Sequence, residues 1–188
     1  LNRLASETMT GTGLVLTSSY AYGVTPSLVV DGATVGPLKS VSITQTGTGI
    51  ASRTSVKSTN SQGQTVRVTD GLGNNTDFVY DAIGNLTKAT GPTGIAEVMG
   101  YDLRGRKLSL TNPDSGSWSY EYNGAGELVR QTDAKGQVTR NFYDGLGRPV
   151  ERREHPGPEA TIPFVTVTSY DRYADSSACG YGKGKVCE

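Results

Sequence analysis

The sequence has few of the residues on which metal sites and disulfide scaffolds depend. Its 188 residues include 2 Cys, 1 His, 1 Trp and 3 Phe. A single histidine cannot form a His-pair metal site, and two cysteines are too few for a disulfide scaffold. Lys and Arg number 18 and Asp and Glu also number 18, so the formal net charge is zero. The basic surplus expected of a nucleic-acid-binding domain is missing, and no nucleic-acid partner is predicted.

Long apolar runs are missing as well. None approaches the roughly 20 residues that a membrane-spanning helix needs, and no signal peptide opens the chain. The chain begins LNRLASETMT, without an initiator Met, which predicts that it is a piece of a longer protein. The lack of a signal in this piece therefore says nothing about the parent protein.

Candidate catalytic groups are scarce. His155 lies in EHPGPE, a context typical of a solvated loop. Cys179 and Cys187 lie in a Gly-rich tail, where they either close a small disulfide loop or remain two thiols. Nothing in their flanks indicates an activated nucleophile. The sequence therefore predicts no enzyme, no catalytic residue, no cofactor and no metal site.

A repeat of 21 residues is the strongest feature of the sequence. An Asp or Asn followed three positions later by Gly recurs in five rows, and Tyr precedes it in four of them. The rows start at Thr59, Tyr80, Tyr101, Tyr122 and Tyr143, and they align Asn60 with Gly63, Asp81 with Gly84, Asp102 with Gly105, Asn123 with Gly126, and Asp144 with Gly147. A sixth row starts at Tyr170 and has Ala174 in place of Gly.

Each row predicts two strands and two turns. Asp or Asn accepts a hydrogen bond from the backbone two residues on, and Gly supplies the positive φ of a tight turn. The segments between the turns, such as QTVRVT and KLSLT, are rich in β-branched residues and have no helical period. The expected fold class is all-β, an antiparallel sheet of stacked β-hairpins with almost no helix.

The domain organisation follows from the extent of the repeat. Residues 1–55 do not join the 21-residue register, although their short alternating runs also predict strands. Residues 56–173 form the predicted repeat array, and residues 174–188 form the Gly-rich tail.

Aromatic residues are expected on one face of this sheet. The tyrosines that start the rows form a predicted ladder, and positions two apart place Trp118, Tyr120 and Tyr122 on the same side of one strand. Packing is the preferred interpretation, because aromatic rings cover a large area and the period puts one in every repeat. The alternative is a platform on which Trp118, Tyr120 and Tyr122 stack against sugar rings.

The repeated Tyr-Asp-x-x-Gly, the variant YDGLGR at 143–148, and Thr-Asp-x-x-Gly in TDGLG and TDAKG resemble the YD repeats of the RHS family. That family occurs in bacterial polymorphic toxins, in the shell component of insecticidal toxin complexes and in animal teneurins. The resemblance covers roughly residues 56–173. It implies a strip of β-hairpins that spirals into a hollow shell, which in the bacterial toxins encloses a separate C-terminal toxin.

Two departures from the family pattern shape the functional expectation. The chain is too short to close a shell, and it shows no self-cleavage aspartates and no distinct toxin domain. The resemblance therefore implies a slice of the shell wall in a secreted or cell-surface protein. The expected partners are neighbouring repeats of the parent chain and an enclosed C-terminal toxin domain.

Two further expectations concern other partners. A cut strip exposes unpaired strand edges, which predicts self-association. YD repeats have also been linked to carbohydrate binding, so the alternative function is a glycan-binding or cell-surface adhesion module that uses exposed aromatic residues.

Overall fold

The computed structural model describes residues 5–11, 14–25, 27–157 and 162–170. Within these ranges the secondary structure consists of strands and turns, without a helix. The strands are β1 (Ser6–Gly11), β2 (Leu14–Thr25), β3 (Leu28–Val30), β4 (Ala33–Val35), β5 (Leu38–Gly47), β6 (Ile50–Thr59), β7 (Thr65–Thr69), β8 (Asn75–Tyr80), β9 (Leu86–Thr90), β10 (Ala96–Tyr101), β11 (Lys107–Asn112), β12 (Gly116–Tyr122), β13 (Leu128–Thr132), β14 (Val138–Tyr143), β15 (Pro149–His155) and β16 (Phe164–Val167).

Fourteen strands form one antiparallel sheet whose strand order follows the chain. The order is β1-β2-β5-β6, continued by β7 to β16 in sequence, while β3 and β4 form a separate two-stranded sheet. Because each strand from β5 onward pairs with its neighbour in the chain, the hairpins of this part are held mainly by the hairpins beside them, as in other repeat proteins. The predicted all-β sheet of stacked hairpins is confirmed.

The first of two compact units comprises residues 1–98. Its core is small and centres on Leu38, Val30 and Val66, whose side chains are buried. The hairpin formed by β3 and β4 contacts β8. Arg67 Nη2 donates a hydrogen bond to the Val29 carbonyl oxygen at 3.1 Å, so a charged side chain ties this hairpin to the sheet.

The second unit comprises residues 99–188, and the residues of it that the structure describes also include few fully buried side chains. Met99 and Val138 are its buried apolar residues among those that the structure describes. The prediction that His155 is a solvated loop residue is wrong. His155 ends β15 opposite Val138 and is 8% exposed, because the cross-strand pairing places it over an apolar neighbour.

Some sequence expectations concern residues without a structural description. The Gly-rich tail at 174–188, with Cys179 and Cys187, lies outside the described ranges, as does Ala174. The part of the chain that the structure describes contains no helix that is long and apolar enough to cross a membrane.

The glycines of the repeat turns have the left-handed backbone that their spacing suggests. Gly63, Gly84, Gly105, Gly126 and Gly147 all have φ between 76° and 98°. At Gly84, where φ is 98°, an added Cβ would also lie 3.2 Å from Gln64 Nε2. Both the backbone and the surroundings therefore favour glycine at this position.

Gly84→Val is expected to lower the free energy of unfolding by about 1 to 3 kcal/mol, because a β-branched residue is forced to positive φ. Urea denaturation followed by circular dichroism measures this loss. The matched control is Ile83→Ser, since Ile83 is the preceding turn residue and is 61% exposed. It should change the free energy by no more than about 0.5 kcal/mol. Equal losses in the two variants would contradict the turn assignment.

Candidate functional site

The Asp or Asn that follows each repeat tyrosine organises the turn through its side-chain oxygen. Asp81 Oδ1 accepts hydrogen bonds from the backbone N–H groups of Ile83 at 3.0 Å and Asn85 at 2.8 Å. The Gly84 N–H donates to the Asp81 carbonyl oxygen at 3.2 Å, which closes the tight turn. Asp102, Asn123 and Asp144 accept the equivalent bond from the residue four positions later, at 2.9 Å, 3.0 Å and 3.0 Å.

The side chain four positions after the Asp or Asn completes the turn. Asn85 Nδ2 donates to Asp81 Oδ2 at 2.8 Å, and Arg106 Nε donates to Asp102 Oδ2 at 2.6 Å. In the two turns that start with Asn the polarity is reversed, because Asn60 Nδ2 donates to Gln64 Oε1 at 2.7 Å and Asn123 Nδ2 donates to Glu127 Oε2 at 2.6 Å. We call this position the turn clamp, and its members are Gln64, Asn85, Arg106, Glu127 and Arg148.

The turn clamp was not predicted, although the sequence carries a signal for it. Every clamp residue is polar and long enough to reach back to the start of its own turn. The residue type varies with the acceptor or donor that it meets, so a search for one repeated letter misses it. The signal is a position that recurs every 21 residues and is always polar, although its side chain is an amide in some repeats and a cation or an anion in others.

Turn clamps also contact the next turn of the repeat. Gln64 Nε2 donates to the Gly84 carbonyl oxygen at 3.4 Å. Arg106 Nη1 donates to the Asn123 carbonyl oxygen at 3.3 Å, and its guanidinium carbon lies 4.9 Å from the centroid of the Tyr122 ring. Such cation–π contacts add to the hydrogen bonds that link consecutive turns.

Three of the four repeat tyrosines bond to a backbone carbonyl on the preceding strand. Each of three phenols donates to the carbonyl oxygen of the residue 15 positions earlier: Tyr80 to Thr65 at 3.0 Å, Tyr122 to Lys107 at 3.0 Å and Tyr143 to Leu128 at 2.9 Å. The fourth phenol, of Tyr101, donates to Met99 Sδ at 3.6 Å. Burial raises the pKa of Tyr80 and of Tyr143, as expected for phenols held in the protonated, donating form.

Two of the accepting carbonyls, those of Thr65 and Leu128, lie where the sheet ladder is interrupted. Thr65 pairs with Thr59, but the next pair joins Arg67 to Ser58, so Val66 is an extra residue in its strand. Leu128 occupies the equivalent place before a second interruption between Glu121 and Tyr122. A β-bulge disturbs the regular ladder, and the phenol supplies a donor at that point.

The three aromatic residues of the predicted glycan platform lie on one strand, β12. Trp118, Tyr120 and Tyr122 are partly buried there, and they alternate with exposed Ser and Glu residues. Tyr122 is occupied by its bond to Lys107 and by the Arg106 guanidinium. Trp118 instead lines a cleft of about 340 Å³, together with Gln131, Asp133, Gln137, Thr139, Glu154, His155, Pro156 and Phe164.

Metal-binding geometry is not found in the described part of the chain. No group of three or more His, Cys, Asp or Glu side chains within the described ranges is placed to hold an ion. The acidic residues of the turns accept backbone hydrogen bonds, which accounts for their positions.

These features define the class of protein. The chain is a β-repeat protein whose unit is a Tyr-Asp hairpin. An Asp or Asn side chain holds the turn together, and in three units the tyrosine phenol donates to a carbonyl oxygen of the preceding strand. The RHS Repeat family matches residues 60–96, 101–138 and 122–156, and the chain belongs to this family.

Relatives of known identity are much longer than this chain. It is 32% identical over 100 residues to double-stranded DNA deaminase toxin A of Burkholderia cenocepacia (strain H111), an alignment that covers 52% of this chain and 7% of the toxin. Its fold is similar to part of the crystal structure of TcdB2-TccC3-TEV, with a TM-score of 0.54, 15% identity, and coverage of 83% of this chain and 9% of that one. The crystal structure of TcdB2-TccC3-Cdc42 is similar at a TM-score of 0.54 and 16% identity, with coverage of 82% and 9%.

Tyr80→Phe is expected to lower the free energy of unfolding by about 1 to 2 kcal/mol, because the Thr65 carbonyl loses its phenol donor. Tyr143→Phe is the matched comparison and should cost less. The Leu128 carbonyl also accepts a bond from Asn141 Nδ2 at 3.1 Å and would keep that donor. Urea denaturation of both variants measures the difference. A larger loss for Tyr143→Phe would contradict the role given to the phenol.

Acid is expected to weaken the repeat turns. Hydrogen bonds from the Asn85 side chain and backbone lower the pKa of Asp81, and bonds from Arg106 and Arg148 lower the pKa of Asp102 and Asp144. A folded-state pKa below the unfolded value of about 3.9 contributes stability that is present above that value and is lost as pH falls through the folded-state pKa.

The triple variant Asp81→Asn, Asp102→Asn and Asp144→Asn should therefore have a flatter stability profile between about pH 5 and pH 2 than the unsubstituted chain. Asn already occupies the equivalent position 123, so the turn itself is compatible with an amide. Thermal unfolding across this pH range measures the profile. Parallel profiles for the two proteins would show that these carboxylates are not responsible.

Proposed function

We propose that this chain is a non-catalytic segment of the wall of an RHS-type shell, which encloses a toxin or effector domain of its parent protein. The observation that carries the proposal is the unbroken succession of Tyr-Asp hairpins in one sheet, ordered as in the chain. Family membership supports the same function. A wall has to extend over many units, and each unit must be joined to the next by a regular contact. The turn clamps provide such a contact.

The way in which the sheet is stabilised suits a wall better than a compact globular domain. Five apolar side chains of the described residues are buried: Val30, Leu38, Val66, Met99 and Val138. The repeats depend instead on ladders, turn clamps and phenol bonds, which can continue for any number of units. Neighbouring repeats of the parent chain are accordingly the first partners.

Exposed apolar residues at the turn tips support contacts with further segments of the parent protein. Leu72, Ile83, Leu103 and Leu146 are exposed by 61% to 96%. The exposure of large aliphatic side chains to water is unfavourable. Burial of these turn tips by an adjoining part of the shell would therefore stabilise the assembly. The turn tips would then contact other segments of the parent protein.

The enclosed partner is inferred from the relatives. The Burkholderia relative is a toxin of which this chain covers 7%, so an effector domain would lie outside the aligned part. A secreted or cell-surface location follows for a protein of this kind. Carbohydrate binding is the weaker candidate, because Tyr122 is already bound by a guanidinium and a carbonyl.

Limited proteolysis of the full-length parent protein tests the wall function. The double variant Tyr80→Phe, Gly84→Val weakens one hairpin of the wall. A loss of about 1.4 kcal/mol in the free energy of opening raises the population of the open form tenfold. The C-terminal domain should therefore be cut about tenfold faster than in the unsubstituted parent, or faster still. Ala82→Ser, at another exposed residue of the same turn, is the control and should leave the cutting rate unchanged. Rapid cutting of the C-terminal domain in the unsubstituted parent would refute enclosure.

A further inference from the structure

The cleft beside Trp118 in the second unit combines aromatic rings with carboxylates. Its volume is about 340 Å³, and its lining includes the rings of Trp118 and Phe164 and the side chains of Asp133 and Glu154. We call it the Trp118 cleft. Aromatic faces and carboxylates are the groups that proteins use to hold organic cations.

Trp118 and Asp133 are neighbours across two strands. Ser119 on β12 pairs with Thr132 on β13, and the antiparallel register continued by one residue brings Trp118 opposite Asp133. Side chains at opposite positions have Cβ atoms about 4.5 to 5.5 Å apart. One small group can therefore contact the indole ring and the carboxylate at the same time.

Asp133 differs from the other aspartates that begin an Asp-x-x-Gly turn. In four of these turns the second carboxylate oxygen accepts a hydrogen bond from the side chain four positions later: Asp70 from Asn74, Asp81 from Asn85, Asp102 from Arg106 and Asp144 from Arg148. In the Asp133 turn that side chain is Gln137, and its Nε2 donates to the Pro156 carbonyl oxygen at 3.2 Å instead.

One oxygen of Asp133 is therefore open to another donor. Its Oδ1 accepts hydrogen bonds from the backbone N–H groups of Lys135 at 2.9 Å and Gln137 at 2.8 Å. Within the described ranges, the structure provides no hydrogen-bond donor for Oδ2. A donor from a ligand would complete the set of bonds that the other four turns already contain.

The charge of Asp133 is also available to a ligand. Arg152 forms an ion pair with Glu154 at 2.5 Å, and Lys135 belongs to the same turn as Asp133, but neither basic residue lines the cleft. Asp133 belongs to none of the ion pairs among the described residues, so its carboxylate can attract a cation into the cleft.

We propose that the Trp118 cleft binds an alkylammonium group, which comes from a free amine or from a lysine side chain of another protein segment. The ammonium lies against the Trp118 ring, the best cation–π partner among the side chains, and donates a hydrogen bond to Asp133 Oδ2. Its alkyl stem packs against the Phe164 ring, which is 71% exposed. This binding site goes beyond the wall function and does not depend on it.

Titration of this chain with butylammonium chloride, followed by tryptophan fluorescence, tests the proposal. The sequence has 1 Trp, so the signal reports on the cleft. A saturable change is expected, and the affinity should fall as sodium chloride is added, because salt screens the attraction to the carboxylate. Butan-1-ol is the neutral probe of the same length and should give no saturable change over the same concentrations.

Asp133→Asn should weaken butylammonium binding about tenfold to a hundredfold, the range for loss of a hydrogen bond to a charged group. The turn tolerates this change, because Asn60 and Asn123 accept the equivalent backbone bonds in their own turns.

Asp70→Asn is the matched control. It removes the same charge from the same kind of turn, but Asp70 Oδ2 already accepts a bond from Asn74, and Asp70 does not line the cleft. Its affinity should stay within about twofold of that of the unsubstituted chain, since the two sites share no partner.

Trp118→Leu is a second cleft variant in case Asp133→Asn fails to give the β-sheet circular dichroism spectrum. Isothermal titration calorimetry replaces fluorescence for this variant. Its affinity for butylammonium should fall about twofold to thirtyfold, because the cation–π contact is lost.

Three results would overturn the proposal: no saturable change with butylammonium, equal binding of butan-1-ol, or equal losses in Asp133→Asn and Asp70→Asn. Tighter binding of the neutral sugar methyl glucoside than of butylammonium would also overturn it, in favour of the glycan alternative. The peptide acetyl-Gly-Lys-Gly-amide distinguishes the two sources of the ammonium. Tighter binding of the peptide than of butylammonium supports a lysine of a protein segment, whereas binding no tighter supports a free amine.

Discussion

The hydrogen bond from a repeat tyrosine to a carbonyl 15 residues earlier is the contact on which this sheet depends. β-Bulges interrupt the ladder directly after the accepting residues Thr65 and Leu128, and a partly buried carbonyl without a donor would be costly. Tyrosine combines the ring area that covers the neighbouring strand with a donor at its tip. Phenylalanine would supply only the first, which explains why the period carries Tyr.

Polar contacts at the turns take the place of a large core. Asp81 satisfies two backbone donors, and Asn85 satisfies the remaining oxygen of the carboxylate. Each such turn is complete by itself, and a clamp such as Arg106 then adds a bond to the following turn. Stability of this kind grows with the number of repeats and requires no increase in buried apolar volume.

The hairpins and their turns could be predicted because their causes are local. Asp81 and Gly84 lie three positions apart, and the conformation that they favour does not depend on distant residues. The bulge at Val66 could not be predicted, because it is a property of the register between two strands and neither strand carries a mark of it. The burial of His155 was missed for the same reason, since it follows from the position of Val138 on the opposite strand.

The two faces of the repeat also differ in how strongly cross-strand contacts constrain them. The face with Tyr143 is constrained in the three units whose phenol bonds to a carbonyl, because a change there removes both a ring and a donor. The opposite face has no comparable requirement, and its residues at equivalent positions can differ from one unit to the next. The contacts that join the repeats therefore constrain one face of the sheet more strongly than the other.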